Sequence, residues 1–254
     1  MSQCIYLTDL DDTLFRSLRK HAGINGLTQA TTATNGHHGH MNPEQRGLFA
    51  ALRATGEVIP VTARSTDAFA RVHLDFGTRR AVLANGAVIL DAHGAPDPDW
   101  LAHTARIGRS AVTLLRDMSA HVEAEFGASA RSWIVEEYGA PVYFCVKMNL
   151  SAEEEVRDGI FAAAEALRSE FDLSGLQQHI NGNNLSFTPT GISKMEACRH
   201  LIDRIGDRDG APLIGIGDSV TDLPFMTLCD FMMTPSASQI AERMMMTSDQ
   251  EAAR

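Results

Sequence analysis

At 254 residues, with 44% hydrophobic and 21% charged side chains, the chain has an ordinary globular composition and is long enough for one large domain or two modest ones. Its 32 acidic against 22 basic residues give a formal charge of -10, which argues against nucleic acid or an anionic membrane as main partner. Cys4, Cys145, Cys198 and Cys229 are too scattered for a zinc site or redox pair, and neither a signal peptide nor a membrane-spanning apolar run is present, so a cytoplasmic protein is expected.

The first predicted element is a buried strand, Ile5-Tyr6-Leu7, that runs straight into Asp9, Asp11 and Asp12. Acids crowded at the end of a core strand repel one another and lose hydration, so they call for a compensating cation or a set of donors, and a hard divalent ion such as Mg²⁺ is suited to the task. The alternative is a polar turn through Asp12 and Thr13. From Arg16 to His40 the sequence is basic, then rich in Gly, Thr, Asn and His, and reads as a long surface excursion. His37, His38 and His40 lie in it without acids or cysteines at ligand spacing, so a solvated loop is expected rather than a metal site.

Asn42-Pro43-Glu44-Gln45 is a capping box with proline at the first helical position, and Leu48, Phe49 and Leu52 give the helix that follows its buried face. After Gly56 a second strand, Val58 to Val61, delivers Thr62, Arg64 and Ser65. Strand, helix, strand implies a parallel right-handed crossover, with the ligand crevice at the carboxyl ends where Asp9 and Thr62 emerge. A helix from Thr66 to Phe76 and a hairpin turning at Asn85-Gly86 are expected next. Residues 91–100 read as a linker.

The middle of the chain alternates differently: a helix near 102–126, strands 132–138 and 142–148, a helix over 151–171 capped by Ser151 and Glu154, and strands 176–180 and 185–188. Helix, hairpin, helix, hairpin describes an α+β unit with helices on one face of an antiparallel sheet. Lys194 then opens a helix through Ile205, where the helix dipole disfavours a cation, which weakens the reading of it as a solvated lysine. The strand 212–216 ends in Gly217-Asp218, with Asp222 close behind. The Met-rich tail after Met233 carries no evident chemistry.

Three strand ends thus supply Asp9 and Asp11, Thr62, and Asp218 with Asp222, while a helix start supplies Lys194, the parts that phosphoryl transfer requires. In this order they resemble the four motifs of the haloacid dehalogenase superfamily of Mg²⁺-dependent phosphatases: Asp-x-Asp-x-Thr at a strand end, a Thr or Ser strand end, a Lys, and Gly-Asp with further acids. The insertion before Lys194, preceded by Leu83-Ala84-Asn85-Gly86-Ala87, is similar to the cap of the branch containing sucrose-phosphate and trehalose-phosphate phosphatases and phosphomannomutases. The resemblance implies an α/β fold, with a Rossmann-like parallel-sheet core at 1–90 and 187–254 and an α+β cap at 91–186. It implies Asp9 as nucleophile, Asp11 as acid and base, and Thr62 and Lys194 as phosphate ligands. It implies Mg²⁺ between Asp9, the Asp11 carbonyl and Asp218, with Asp222 as a ligand or close support, and a small phosphorylated substrate, such as a sugar phosphate. Arg131, Lys147, Asn181 and Asn183 are the candidate substrate contacts of the cap, against the blander reading of each as a solvated surface group. Two departures stand out: Asp12 where the family often has Gly, and Thr221 where it often has Asn. A phosphosugar mutase and a non-catalytic sugar-phosphate binder are the competing readings.

Overall fold

The computed structural model describes residues 3–34 and 36–252, with side chains to residue 246. They form two compact units, Met1–Asp97 with Lys194–Arg254, and Pro98–Ser193. No described helix is long and apolar enough to cross a membrane.

The first unit begins with β1 (Cys4–Thr8), followed by three short strands, β2 (Arg16–Ser17), β3 (Thr28–Gln29) and β4 (Gly39–Met41). The latter form a small antiparallel sheet in the order β2-β4-β3, so the stretch expected as a solvated excursion is folded. Ala30, Thr31 and Met41 are buried there, and a Cβ on Gly39 would stand 2.9 Å from the Phe15 ring. His21 and His40 serve this fold, the ring of His21 reaching the His40 carbonyl at 2.9 Å.

Helix α1 (Pro43–Thr55) starts at the reciprocal Asn42–Gln45 capping box and leads into β5 (Gly56–Pro60). Helix α2 (Thr66–Phe69) is shorter than its sequence pattern predicts. Residues 71–73 pair instead with the small sheet: Thr31 bridges Val72, and the His73 N–H donates to the Ala30 carbonyl at 2.8 Å. The hairpin β6 (Ala81–Leu83) and β7 (Val88–Leu90) turns through Ala84, Asn85 and Gly86, all at positive φ. A bridge between Leu90 and Pro96 pairs part of the expected linker 91–100 against β7.

The second unit comprises α3 (Pro98–Phe126), β8 (Ala130–Glu137), β9 (Ala140–Met148), α4 (Glu153–Glu170), β10 (Leu176–Ile180) and β11 (Leu185–Pro189). Its antiparallel sheet runs β10-β11-β9-β8. Leu115, Met118 and Val122 of α3 and Ile160, Ala164 and Leu167 of α4 share one core with Phe144, Val146 and Phe187 of the sheet, so both helices cover the same face. Helix α3 starts four residues before its periodicity suggests, at a proline suited to the first turn. The expected Ser151 capping box is not formed; α4 starts after Ala152, with three glutamates in its first turn.

The chain returns to the first unit through α5 (Lys194–Ile205), β12 (Leu213–Ile216), α6 (Leu223–Met226), β13 (Phe231–Met233) and α7 (Gln239–Ala252). The parallel sheet has the order β13-β12-β1-β5, which confirms the expected α/β class. Its register fixes the site: Thr8 faces Ile216 on one side and Pro60 on the other. Asp9, Gly217-Asp218 and Val61-Thr62 therefore leave the sheet at one level, at the carboxyl edge.

Candidate active site

Asp9 follows β1 directly, and its N–H donates to the Ile216 carbonyl at 2.8 Å, so the backbone that carries it is still part of the sheet. The turn beyond is anchored by Leu10, Leu14 and Phe15, all essentially buried. Each such burial contributes on the order of 1.5–3 kcal/mol, more than the roughly 1 kcal/mol that a left-handed backbone costs. That cost arises at Asp12, whose φ is +64. Glycine adopts this conformation at least cost, and Asp tolerates it better than most other residues. Lys20 neutralises the extra acid with Nζ 2.6 Å from Asp12 Oδ2.

Four of the six expected residues meet. Lys194 Nζ donates to Asp9 Oδ1 at 2.7 Å and to Asp222 Oδ1 at 2.8 Å, bringing together positions 185 residues apart. Asp9, Asp218 and Asp222 each offer an oxygen within 4.8 Å of the others. Thr13 Oγ1 lies 3.2 Å from both Asp9 Oδ2 and Asp218 Oδ1; with a single hydroxyl proton it can donate to only one at a time. Asp222 is fixed in turn by the Ser219 N–H, which donates to its Oδ2 at 3.1 Å.

The other two expected residues lie beside the cluster. Thr62 is buried, and its Oγ1 accepts the Arg64 N–H at 3.1 Å. The Asp11 carboxylate is engaged by Arg64 through both oxygens, each at 2.7 Å. Sequence reasoning assigned no role to Arg64, Thr13 or Ser219. The sequence signal for Thr13 lay in the Asp-x-Asp-x-Thr spacing, whereas nothing in the sequence pairs Arg64 with Asp11. The histidines of the small sheet gather no metal-ligand group among the described residues.

The electrostatics are those of a site short of positive charge. Burial pushes Asp9 up to about 8; Lys194 pulls it down, and Asp222 pushes it further up. Burial, Asp222 and Asp12 push Asp218 up to about 6 against the Thr13 hydrogen bond. Burial opposes the charge on Lys194, but Asp9 and Asp222 outweigh it and hold the ammonium well above its ordinary range. One lysine thus faces three carboxylates, and the oxygen-only donor set fits a hard divalent cation such as Mg²⁺. When bound, such an ion would neutralise this charge and polarise an oxygen of the bound group.

Gly217 is part of this construction, because a Cβ there would stand 2.6 Å from Asp222 Cβ. Gly217→Ala is therefore expected to displace Asp222 from Lys194 and to lower stability by about 1–3 kcal/mol. Chemical denaturation measures it, and wild-type stability would show that the site absorbs the methyl group.

Among the four candidate substrate contacts of the second unit, Asn183 is already committed. It accepts from the Met148 N–H at 2.7 Å and donates to the Met148 carbonyl at 2.8 Å. Asn181 closes the β10–β11 turn through its own N–H, which donates to the Asn184 carbonyl at 2.9 Å. Arg131 and Lys147 are cross-strand neighbours, with the Arg131 guanidinium 5.8 Å from the Trp133 ring centroid.

No family model and no curated protein sequence matches the chain. Its fold does match solved structures. One is the C-terminal domain of trehalose-6-phosphate phosphatase from C. albicans, with TM-score 0.54, 11% identity, and coverage of 89% of this chain and 73% of that one. Another is IMP-nucleotidase from Plasmodium falciparum, with TM-score 0.52, 12% identity, and coverage of 95% and 67%. A third is a trehalose-6-phosphate phosphatase related protein, with TM-score 0.50, 16% identity, and coverage of 91% and 85%. At these identities the likeness establishes the fold alone, an α/β core of the kind these structures share.

Proposed function

We propose that this chain is a Mg²⁺-dependent phosphomonoester hydrolase that works through an aspartyl-phosphate. The observation that carries the reading is the convergence of Lys194 Nζ on Asp9 and Asp222, at 2.7 and 2.8 Å, beside Asp218. A buried carboxylate held between a lysine and two further acids is placed to attack an electrophile that arrives with a cation.

In the proposed sequence, Asp9 attacks phosphorus, the bond to the leaving oxygen breaks, and Asp11 gives that oxygen its proton. Water then attacks the phosphorus of the aspartyl-phosphate, Asp11 takes a proton from it, and Asp9 is released. Thr62 and Lys194 hold the non-bridging oxygens and stabilise the charge they gain in the transition state. Asp9, Asp218 and Asp222 would hold Mg²⁺ through side-chain oxygens, and Asp11 through its carbonyl. The unit Pro98–Ser193 is read as the cap that selects the leaving group. A sugar phosphate or similar small phosphorylated metabolite is the proposed substrate, a choice supported by structural neighbours named for trehalose 6-phosphate and IMP. All four cysteines are free thiols, which supports a reducing, cytoplasmic setting.

A panel of phosphomonoesters with and without Mg²⁺ tests the reading, with metal-dependent phosphate release expected from at least one ester. Binding of an ester without turnover would favour a sugar-phosphate binder.

The metal site also predicts a linkage. Asp9 and Asp218 have raised values in the fold, at about 8 and about 6, so their contribution to stability is fully present below 3.8 and lost as pH rises through those values. Without metal the protein is therefore expected to melt lower at about pH 8 than at about pH 5. Because Mg²⁺ must displace those protons, the stabilisation it confers is expected to grow over the same range, reaching about 2.7 kcal/mol at a hundredfold excess over its dissociation constant. A Mg²⁺-induced shift in melting temperature that is independent of pH would remove these carboxylates from the metal site.

A further inference from the structure

Arg64 has no part in the roles assigned so far, yet it makes the most directional side-chain contact at the carboxyl edge of the sheet. Its Nε donates to Asp11 Oδ2 and its Nη2 to Asp11 Oδ1, both at 2.7 Å, a two-point fork that fixes the carboxylate in plane as well as in distance. Arg64 is itself held from two sides. Its N–H donates to Thr62 Oγ1 at 3.1 Å, and its guanidinium carbon lies 5.1 Å from the centroid of the Phe15 ring. Phe15 belongs to the core, and a bridge between Asp11 and Phe15 puts the acid and the ring on the same turn. One guanidinium therefore reads both.

Exposure shows which partner is held by which. The Arg64 side chain is 19% exposed and that of Asp11 53%. A carboxylate that open would sample several rotamers if left alone, whereas groups that exchange protons with a reacting centre must stay within about 0.5 Å of their working position. An ion pair this exposed adds little to global stability. Its effect should lie in orientation.

We propose that Arg64 is a positioning residue that aims the Asp11 carboxylate, the aim being set by the Phe15 ring and the Thr62 hydroxyl. The proposal rests on the phosphoryl-transfer reading above. Both Asp11 oxygens are occupied, so one of the two bonds is given up when that oxygen takes up the proton destined for the leaving oxygen, and the other remains as the pivot.

The test uses the full-length protein with Mg²⁺ and two esters, an alkyl phosphate, whose leaving oxygen needs a proton, and p-nitrophenyl phosphate, whose leaving group departs without one. In single-turnover experiments Arg64→Ala is expected to slow phosphoenzyme formation about 10- to 100-fold from the alkyl ester, with its half-saturating concentration changed less than about threefold, and to have little effect on phosphoenzyme formation from the nitrophenyl ester. Arg64→Lys, which keeps the charge but not the fork, should recover part of the loss. In an Asp11→Asn background, Arg64→Ala should cost nothing further. Equal losses in phosphoenzyme formation from both esters, losses that multiply with Asp11→Asn, or an unaffected rate with the alkyl ester would each overturn the proposal. Full activity in Asp9→Asn would instead defeat the phosphoryl-transfer reading. Crystal structures decide the geometric claim whatever the turnover: Asp11 keeping the same rotamer in Arg64→Ala would overturn it, and a reoriented or multiply placed carboxylate would support it.

Discussion

Asp9→Asn is expected to lower Mg²⁺-dependent phosphate release by at least about 10⁴-fold while leaving the protein folded. The amide is nearly isosteric and its oxygen can still accept from Lys194, but it has no charge with which to attack phosphorus. The environment even favours the neutral group, since burial raises Asp9 to about 8. In metal-free buffer near neutral pH the variant should therefore melt no lower than wild type, which separates lost chemistry from lost structure. Wild type incubated with substrate should also form a phosphoenzyme that the variant does not. Comparable turnover in the two proteins would remove Asp9 from the mechanism.

Lys194→Met should be costly in both activity and stability. The lysine side chain is 12% exposed and its partners Asp9 and Asp222 are 8% and 1% exposed, so removing the ammonium leaves buried carboxylates without their cation. Breaking one partner out of such an arrangement typically costs about 3–5 kcal/mol, and loss of a donor to transition-state charge about 10²–10³-fold in kcat. The pH dependence follows from the two shifts. Lys194 has a raised value in the fold, so its contribution is fully present below 10.5 and constant over the working range. Asp9 and Asp218 titrate there, and Asp9 is the one in contact with Lys194. The stability deficit should therefore shrink as pH falls from about 8 to about 5 and Asp9 takes up a proton, and added Mg²⁺ should also reduce it. Urea unfolding at the two pH values measures this; a deficit that did not change with pH would mean that lost packing, and not uncompensated charge, sets it.

Much of the site was legible because strand ends leave a mark in sequence. Ile5 to Leu7 and Leu213 to Ile216 are apolar runs that end in acids, and the parallel register carries Asp9 and Asp218 to one level. Lys194 was legible only by its order in the chain, since a lone lysine at a helix start carries no partner label. The Arg64–Asp11 fork was hidden because it spans 53 positions and depends on how a long side chain lies across Phe15. Local pattern failed where tertiary pairing overrode it. Residues 66–76 have a helical apolar face, but 71–73 satisfy their backbone against Ala30 to Thr32, in a stretch whose Gly, Thr and His content suggested no partner for them. The capping box at Asn42, by contrast, formed as its sequence implied, because both its partners are local.

The core is assembled from two separate pieces of chain, Met1–Asp97 and Lys194–Arg254. On the ribosome, β1 can recruit β5 soon after both emerge, but its other neighbour, β12, is made only after the whole intervening segment. The contiguous segment Pro98–Ser193 carries its own hydrophobic centre and can fold in the interval. A nascent chain stalled before Lys194 would hold Asp9 beside an unclosed sheet edge, lacking the ammonium that meets it. The cluster of Asp9, Lys194, Asp218 and Asp222 would then be completed only late in translation.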